Sequence, residues 1–175
     1  MAFLTLGKGC YISAVTSGEG DPTLRSALRP LKQLMIAMDA EIARLYAERG
    51  VAGVRPRFAM SLIRLRHRGP LTVKELAEQT DVTHSAMSQT LTAMRAEGLV
   101  ETTPGLDART RHVALTAKGR ELVPFLEAEW RATEAAFAAL EAELPYPLTR
   151  VVDDMAAALD RRSFLARIRE HLGDS

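Results

Sequence analysis

The polar residues between positions 83 and 95 follow a helical spacing that would expose them on one face. Met87, Leu91 and Met94 lie at i, i+4 and i+7 and therefore predict a buried stripe. The opposite face then carries hydroxyl, imidazole, amide and guanidinium groups, from Thr83, His84, Ser85, Ser88, Gln89, Thr92 and Arg95. Hydroxyls bind phosphate or either type of base, and a glutamine amide pairs with adenine through two hydrogen bonds. This face predicts contact with double-stranded DNA; ordinary solvated polar residues are the alternative.

A turn-rich segment at 104–110 supplies a second set of groups that suit DNA. Arg109 lies near the predicted tip, where its long cationic side chain can enter a narrow minor groove. Asp107 would be repelled by phosphate, so we expect it to bond to the loop backbone or to Arg109 and to hold the tip in shape. Arg111 begins the following β-like run and is expected to meet the DNA backbone. A disordered basic loop is the alternative.

Local signals predict the elements that would position these groups. Thr72 with Glu75 three residues later has the pattern of a capping box, which marks the start of a helix. In chain order we expect a short helix at 72–79, a turn at 80–82, a longer helix at 83–97 and β-like runs at 99–102 and 111–115. This order predicts a helix-turn-helix followed by a two-stranded wing, which places one helix in a major groove.

Apolar seams on both sides of this segment predict further helices. We expect them near 29–50, at 57–67, at 116–144 with Thr116 as the cap, and at 148–171. The seam of the helix at 116–144 is expected at Leu122, Leu126, Trp130, Thr133, Phe137, Leu140 and Leu144. The outer helices carry more apolar surface than a domain of this size can bury, so the economical partner is a second copy. A two-fold dimer would place two recognition helices about 34–36 Å apart and would read a pseudo-palindrome.

The charge of the chain is concentrated where the helix-turn-helix is predicted. Residues 55–120 hold 11 Lys and Arg against 6 Asp and Glu, a net charge of +5, although the whole chain is +1. Residues 121–175 hold 6 against 11, a net charge of −5. A basic segment of this kind favours a nucleic-acid partner. No apolar run reaches the roughly 18 residues of a membrane span, and the N-terminus lacks a basic lead, so we expect a cytoplasmic protein without a membrane partner.

The sequence lacks the patterns that are typical of enzymes and metal sites. Its four histidines are far apart and never have zinc-ligand spacing with cysteine or acidic partners. It has neither a glycine-rich phosphate loop nor a nucleophile elbow. We therefore expect no enzymatic activity, no cofactor and no metal. Cys10 is the single cysteine and cannot form an internal disulfide, which agrees with a reducing compartment.

The helix-turn-helix and the wing also resemble a known family. The matching residues are Leu71-Thr72-Val73, Glu75-Leu76-Ala77, Val82-Thr83-x-Ser85-x-Met87-Ser88-Gln89, Gly98-Leu99-Val100 and Asp107-x-Arg109-x-Arg111-x-Val113-x-Leu115-Thr116-x-x-Gly119. In these residues the chain resembles the MarR family of bacterial transcriptional regulators. The resemblance implies a mainly α fold with a small β-wing over residues 24–175. Within it, a winged helix-turn-helix lobe at 55–116 would lie between dimerisation helices at 24–50 and 117–175, and residues 1–23 would be an N-terminal arm of uncertain order.

The same resemblance implies a homodimeric repressor that a small-molecule effector releases from a pseudo-palindromic operator. The effector would bind between the dimerisation helices and the lobe, with Met35, Met38, Phe58 and Leu62 as candidates and plain core as the alternative. Some members of the family are peroxide sensors with a reactive cysteine near the first helix. A thiol redox sensor that uses Cys10 is therefore one alternative, although Cys10 precedes the matching region. A winged helix that binds protein is the other.

Overall fold

The computed structural model describes residues 21–51, 53–104 and 111–173. Its elements, in chain order, are a 3₁₀ turn Pro22–Leu24, α1 Arg29–Glu48, a 3₁₀ turn Pro56–Phe58, α2 Ala59–Arg68, α3 Val73–Gln79, α4 His84–Ala96, β1 Val100–Pro104, β2 Arg111–Leu115, α5 Ala117–Ala142, α6 Leu148–Arg161 and α7 Phe164–Leu172. The predicted class, mainly helical with a small two-stranded wing, is confirmed. No helix in the described ranges is long and apolar enough to cross a membrane.

The chain divides into two compact units, and the boundary between Ile42 and Ala43 falls inside α1. In the described part of the first unit, the Asp21 carboxylate accepts hydrogen bonds from the hydroxyl of Thr23 at 2.7 Å and from its N–H at 2.9 Å. The hydroxyl bond and then the N–H bond lower the pKa of Asp21. Arg29 donates to the carbonyl oxygen of Thr23 at 2.8 Å, which ties the 3₁₀ turn to the first residue of α1.

The second unit buries its core between α2, α3, α4, α5 and the wing strands. The stripe of Met87, Leu91 and Met94 is buried, which confirms the predicted inner face of α4. Other side chains without exposed surface, or nearly so, close this core, namely Tyr46, Phe58, Leu62, Leu76, Leu99, Val113, Val123 and Leu126. Because these residues come from every element between the end of α1 and the middle of α5, one core fixes the position of α4.

The wing is an antiparallel pair whose register runs from Val100 opposite Leu115 to Pro104 opposite Arg111. Leu71 forms a bridge to Val113, with N–O distances of 3.1 and 2.7 Å, so the chain entering α3 is joined to the wing. The predicted capping box is confirmed, since Thr72 caps α3 and exchanges hydrogen bonds with Glu75. The helix-turn-helix and the wing are therefore joined through backbone hydrogen bonds, just before the residue that caps α3.

Two predicted helices differ from the structure. The helix expected at 148–171 is wrong as a single element, because Arg162 is extended (φ −154°, ψ 115°) and α6 ends there. Ser163 then caps α7, its hydroxyl oxygen accepting from the N–H of Ala166 at 3.2 Å. The helix expected at 57–67 begins instead with the 3₁₀ turn Pro56–Phe58 and continues as α2 to Arg68.

The buried face of α5 agrees with the predicted seam in direction but not in every residue. Leu126 is buried as predicted, whereas Trp130 is exposed. The structure also buries Gly119, Val123 and Glu129, which the predicted seam did not include. Gly119 and Val123 are small, so they let the helix approach the wing and α2.

Candidate nucleic-acid interface

The outer face of α4 carries the polar groups that the sequence predicts for DNA contact. Thr83 caps the helix, with its hydroxyl oxygen accepting from the N–H of Ala86 at 3.2 Å. Solvent reaches most of the predicted set, since His84, Ser85, Gln89, Thr92 and Arg95 are exposed and Ser88 is half-buried. The core on the opposite side holds α4 in place, so these side chains are presented from a rigid helix. Their contacts with bases and phosphates stay a prediction.

The turn before α4 is fixed by side-chain and backbone bonds. Thr80 donates its hydroxyl to the carbonyl oxygen of Leu76 at 2.8 Å, and the N–H of Val82 donates to the carbonyl of Ala77 at 3.1 Å. Asp81 adopts a left-handed conformation with φ of 53°, which aspartate tolerates better than most residues. This turn sets the direction in which α4 leaves α3.

Thr92 is partly committed within the helix, because its hydroxyl donates to the carbonyl oxygen of Ser88 at 2.9 Å. Its oxygen lone pairs still face solvent, so we expect Thr92 to accept from a base rather than to donate.

The described part of the wing ends at the pair formed by Pro104 and Arg111. Arg111 is exposed there, at the start of the return strand, as a residue that meets a DNA backbone must be. Asp107 and Arg109, the predicted tip residues, lie outside the described residues, as does Cys10.

The four effector candidates differ in exposure. Met35 is 60% exposed and Met38 is half-buried, whereas Phe58 and Leu62 have no exposed surface and form part of the core. A cavity of 280 Å³ lies elsewhere in the second unit. It is lined by Gly50, Val51, Val54, Leu99, Lys118, Glu121 and Leu122, a set that includes none of the four candidates.

A buried polar cluster in the second unit was not predicted. The Tyr46 hydroxyl donates to Glu129 Oε2 at 2.9 Å, and the Thr133 hydroxyl donates to Glu129 Oε1 at 2.7 Å. Tyr46 also packs edge-on against Phe125, with ring centroids 5.5 Å apart. Burial, and then the bond to Glu129, raises the pKa of Tyr46 above its ordinary value. Within the described residues, no cluster of three or more His, Cys, Asp or Glu side chains could hold a metal ion.

Known proteins share this arrangement. Residues 53–110 match the model of the MarR family. No curated protein sequence matches the chain. Among solved structures, the M. tuberculosis transcriptional regulator MosR in complex with DNA is 25% identical, and the similarity covers 79% of this chain and 99% of that chain with a TM-score of 0.54.

Two further structures share the fold at lower identity. The S. aureus MepR–DNA complex is 14% identical over 78% of this chain and 98% of that chain, with a TM-score of 0.60. A SlyA-like transcription regulator from Listeria monocytogenes is also 14% identical, over 86% and 97%, with a TM-score of 0.56.

Proposed function

We propose that this chain, whose residues 53–110 match the model of the MarR family, represses transcription as a ligand-responsive homodimer. The observation that carries the proposal is the arrangement of α4, which exposes hydroxyl, amide and cationic groups on one face while a core stripe fixes the other. The wing follows directly, and residues 55–120 around both elements carry a net charge of +5.

Each polar residue of this surface has a proposed role. The first turns of α4 enter a major groove, where Ser85, Ser88 and Gln89 contact base edges and Thr83, His84 and Thr92 contact bases or phosphates. Arg95 and Arg111 bind the phosphate backbone on either side. Arg109 enters the adjacent minor groove, and Asp107 holds the tip in shape.

A second copy of the chain is the proposed partner of the outer helices. In α6 and α7 no residue is buried, although both carry regularly spaced large apolar side chains. A two-fold dimer through residues 24–50 and 117–175 would cover these side chains and present two copies of α4. Two half-sites about 34–36 Å apart would then form a pseudo-palindromic operator.

Release by a small molecule is the proposed regulation of this arrangement. Because operator affinity depends on two helices at a fixed separation, an effector that favours another separation lowers affinity without touching DNA. Met35 and Met38 are the proposed effector contacts, since both reach the surface of α1. Phe58 and Leu62 would take part only if the core opened.

Fluorescence anisotropy at near-physiological salt tests the proposal directly. The DNA upstream of the gene is compared with a scrambled duplex of the same length. We expect one dimer per site and binding tighter than to the scrambled duplex by about a thousandfold. Equal, weak and strongly salt-dependent binding to both duplexes would contradict the proposal if genomic fragments recovered by pull-down gave the same result.

The wing assignment has its own test. Arg109→Ala should weaken operator binding and flatten its dependence on salt, by a slope of about 0.9 for one lost phosphate-region contact. Lys32→Ala removes one cation from α1 and serves as the control. Unchanged affinity of the Arg109→Ala variant would overturn the wing assignment while leaving the α4 assignment standing.

A further inference from the structure

The residues that directly follow α4 are hydrogen-bonded to the start of α5, namely to its cap Thr116 and to Lys118 in its first turn. Three successive carbonyl oxygens, those of Glu97, Gly98 and Leu99, each accept a hydrogen bond from this segment. Lys118 Nζ donates to Glu97 at 2.8 Å. The hydroxyl of Thr116 donates to Gly98 at 2.7 Å, and its N–H donates to Leu99 at 3.1 Å. We call residues 97–99 and 116–119 the α4–α5 junction.

Gly119 allows the two helices to come this close. A Cβ atom at position 119 would lie 2.1 Å from the carbonyl oxygen of Leu99 and 3.3 Å from the side chain of Leu115. The Leu99 oxygen cannot move aside without losing its bond from Thr116. A side chain at position 119 would therefore push α5 away from the end of α4.

The three acceptors follow the last residue of α4. Within the turn that ends the helix, the carbonyls of Ala93, Met94 and Arg95 already accept from the N–H groups of residues 97–99. The junction therefore uses the carbonyls of the same three residues, 97–99, so this short segment is bonded to α4 through its N–H groups and to the start of α5 through its oxygens. The Lys118 ammonium also lies near the negative end of the α4 dipole, where a cation is stabilising.

We propose that Thr116, Lys118 and Gly119 are positioning residues for DNA recognition, which make α4 and the start of α5 move as one body. This inference rests on the proposed function of α4. It extends that function, because α5 continues from the junction to Leu140, an exposed apolar side chain near the other end of the helix. A rearrangement of α5 would reach the DNA-binding face through the junction, without any change in the residues that touch bases.

Lys118 gives the first test. Lys118→Met removes the donor to Glu97, Lys118→Arg keeps a donor, and Arg131→Met removes an exposed cation from the same helix as the control. We expect the Met variant to bind operator about tenfold more weakly with an unchanged salt slope, and the Arg variant to restore most of the affinity. A salt slope lower by about 0.9, with equal weakening on scrambled DNA, would make Lys118 a phosphate contact and overturn the proposal.

Substitutions at Thr116 distinguish its role in the junction from its role as the cap of α5. Its hydroxyl oxygen accepts from the N–H of Gly119 at 3.1 Å while its proton goes to Gly98. Thr116→Asp keeps a good capping acceptor but has no proton to donate at neutral pH, whereas Thr116→Ser keeps both functions. We expect the Asp variant alone to lose operator affinity, by about tenfold.

Hydrogen exchange of the free protein completes the test. In the Thr116→Asp variant the amides of residues 94–99 should exchange faster, while the first turn of α5 keeps its protection and the Ser variant matches the parent. Unchanged exchange at 94–99 would overturn the proposal. This measurement needs no DNA, so it tests the junction separately from the proposed function. A parent protein that binds no specific operator would contradict the proposed function, while the exchange rates would still decide whether the junction attaches α4 to α5.

Discussion

The lobe around α4 buries its large apolar side chains, whereas the last two helices expose theirs. In the lobe, Leu62, Leu91 and Leu99 have no exposed surface. In α6 and α7 the large apolar side chains are each 40–70% exposed, namely Val151, Val152, Met155, Leu159, Phe164, Leu165, Ile168 and Leu172. The lobe completes its own core, whereas α6 and α7 leave their apolar faces exposed in the single chain. The two regions therefore differ in what could stabilise them, and a second copy of the chain is the proposed cover for the exposed faces.

The same contrast occurs along α5. Its first half contributes Val123, Leu126 and Glu129 to the core, whereas Leu140 in its second half is 42% exposed. Because one continuous helix takes part in both regions, the lobe and the proposed dimer surface share a rigid element. Because the buried and the exposed side chains lie on different halves of the helix, substitutions can still be chosen that affect one region and spare the other.

The largest effect is expected in the core of the lobe. Leu91→Ala should lower the free energy of unfolding by about 2–5 kcal/mol, since it removes fully buried methyl groups and leaves a cavity. Leu172→Ala, at a side chain that is 70% exposed, is the matched control and should change it by less than about 0.5 kcal/mol in dilute protein. Urea denaturation measures both. Equal losses would show that α7 is packed as tightly as the lobe and would remove the contrast.

An assembly-specific effect is expected on α6. Leu159→Asp places a charge in the exposed apolar face, and two copies in a two-fold dimer should weaken association by about 3 kcal/mol or more. Ala157→Asp adds the same charge to an exposed position outside that apolar stripe and should leave association unchanged. Analytical ultracentrifugation over a range of concentrations separates the two variants. A parent protein that remains a monomer throughout would contradict the dimer itself.

Sequence patterns predicted the parts of this fold that depend on neighbours a few residues apart. Thr72 and Thr116 cap their helices as expected, Thr83 marks the expected start of α4, and the i, i+4, i+7 spacing located the buried face of that helix. Ser163 is also a local cap, but the continuous apolar spacing of 148–171 concealed it. The predicted seam of α5 left out Gly119, because a glycine at this position is required by its close approach to Leu99, which no spacing reveals.

Long-range polar contacts escaped prediction for the same reason. Tyr46 and Glu129 are 83 residues apart, and neither has a pattern around it that marks a partner. The two segments of the junction, 97–99 and 116–119, precede and follow the wing strands in the sequence. Their contact therefore depends on the pairing of those strands. The family pattern contains Thr116 and Gly119, but only the structure gives the physical reason for residues of these types there.

A smaller effect than in the apolar core is expected at the buried phenol. Tyr46→Phe removes one of two donors to the Glu129 carboxylate and should cost about 1–3 kcal/mol of stability. Because burial and then Glu129 raise the pKa of Tyr46 in the folded state, its contribution is complete below the unfolded value of about 10 and is lost as pH rises through the folded value.

Urea denaturation at pH 8 and pH 10.5 tests this contribution. The parent should lose stability between the two pH values more steeply than the Tyr46→Phe variant. Tyr146→Phe is the control, since the Tyr146 ring is 78% exposed, and should follow the parent. If Tyr46→Phe and the parent have the same slope, the phenol and the carboxylate are not linked in the folded protein.

The smallest effect is expected at the entry to the helix-turn-helix. Thr72 exchanges three bonds with Glu75: its hydroxyl accepts from the Glu75 N–H at 3.2 Å, while its N–H and its hydroxyl both donate to Glu75 Oε2 at 2.8 Å. The backbone bond and then the hydroxyl bond lower the pKa of Glu75. The stability linked to Glu75 is therefore present above its unfolded pKa and is lost as pH falls through the folded value.

Thr72→Ala removes the two hydroxyl bonds and keeps the bond from the backbone N–H. We expect it to lower the melting temperature by about 2–4 °C at pH 7 and to weaken, without abolishing, the loss of stability towards pH 3. Thr72→Ser should behave as the parent. Thermal melts at both pH values measure this, and a Thr72→Ala variant that keeps the full acid response would show that the backbone bond alone sets the pKa of Glu75. In that case the half of the capping box that Glu75 supplies, and not the Thr72 hydroxyl, links the start of α3 to pH.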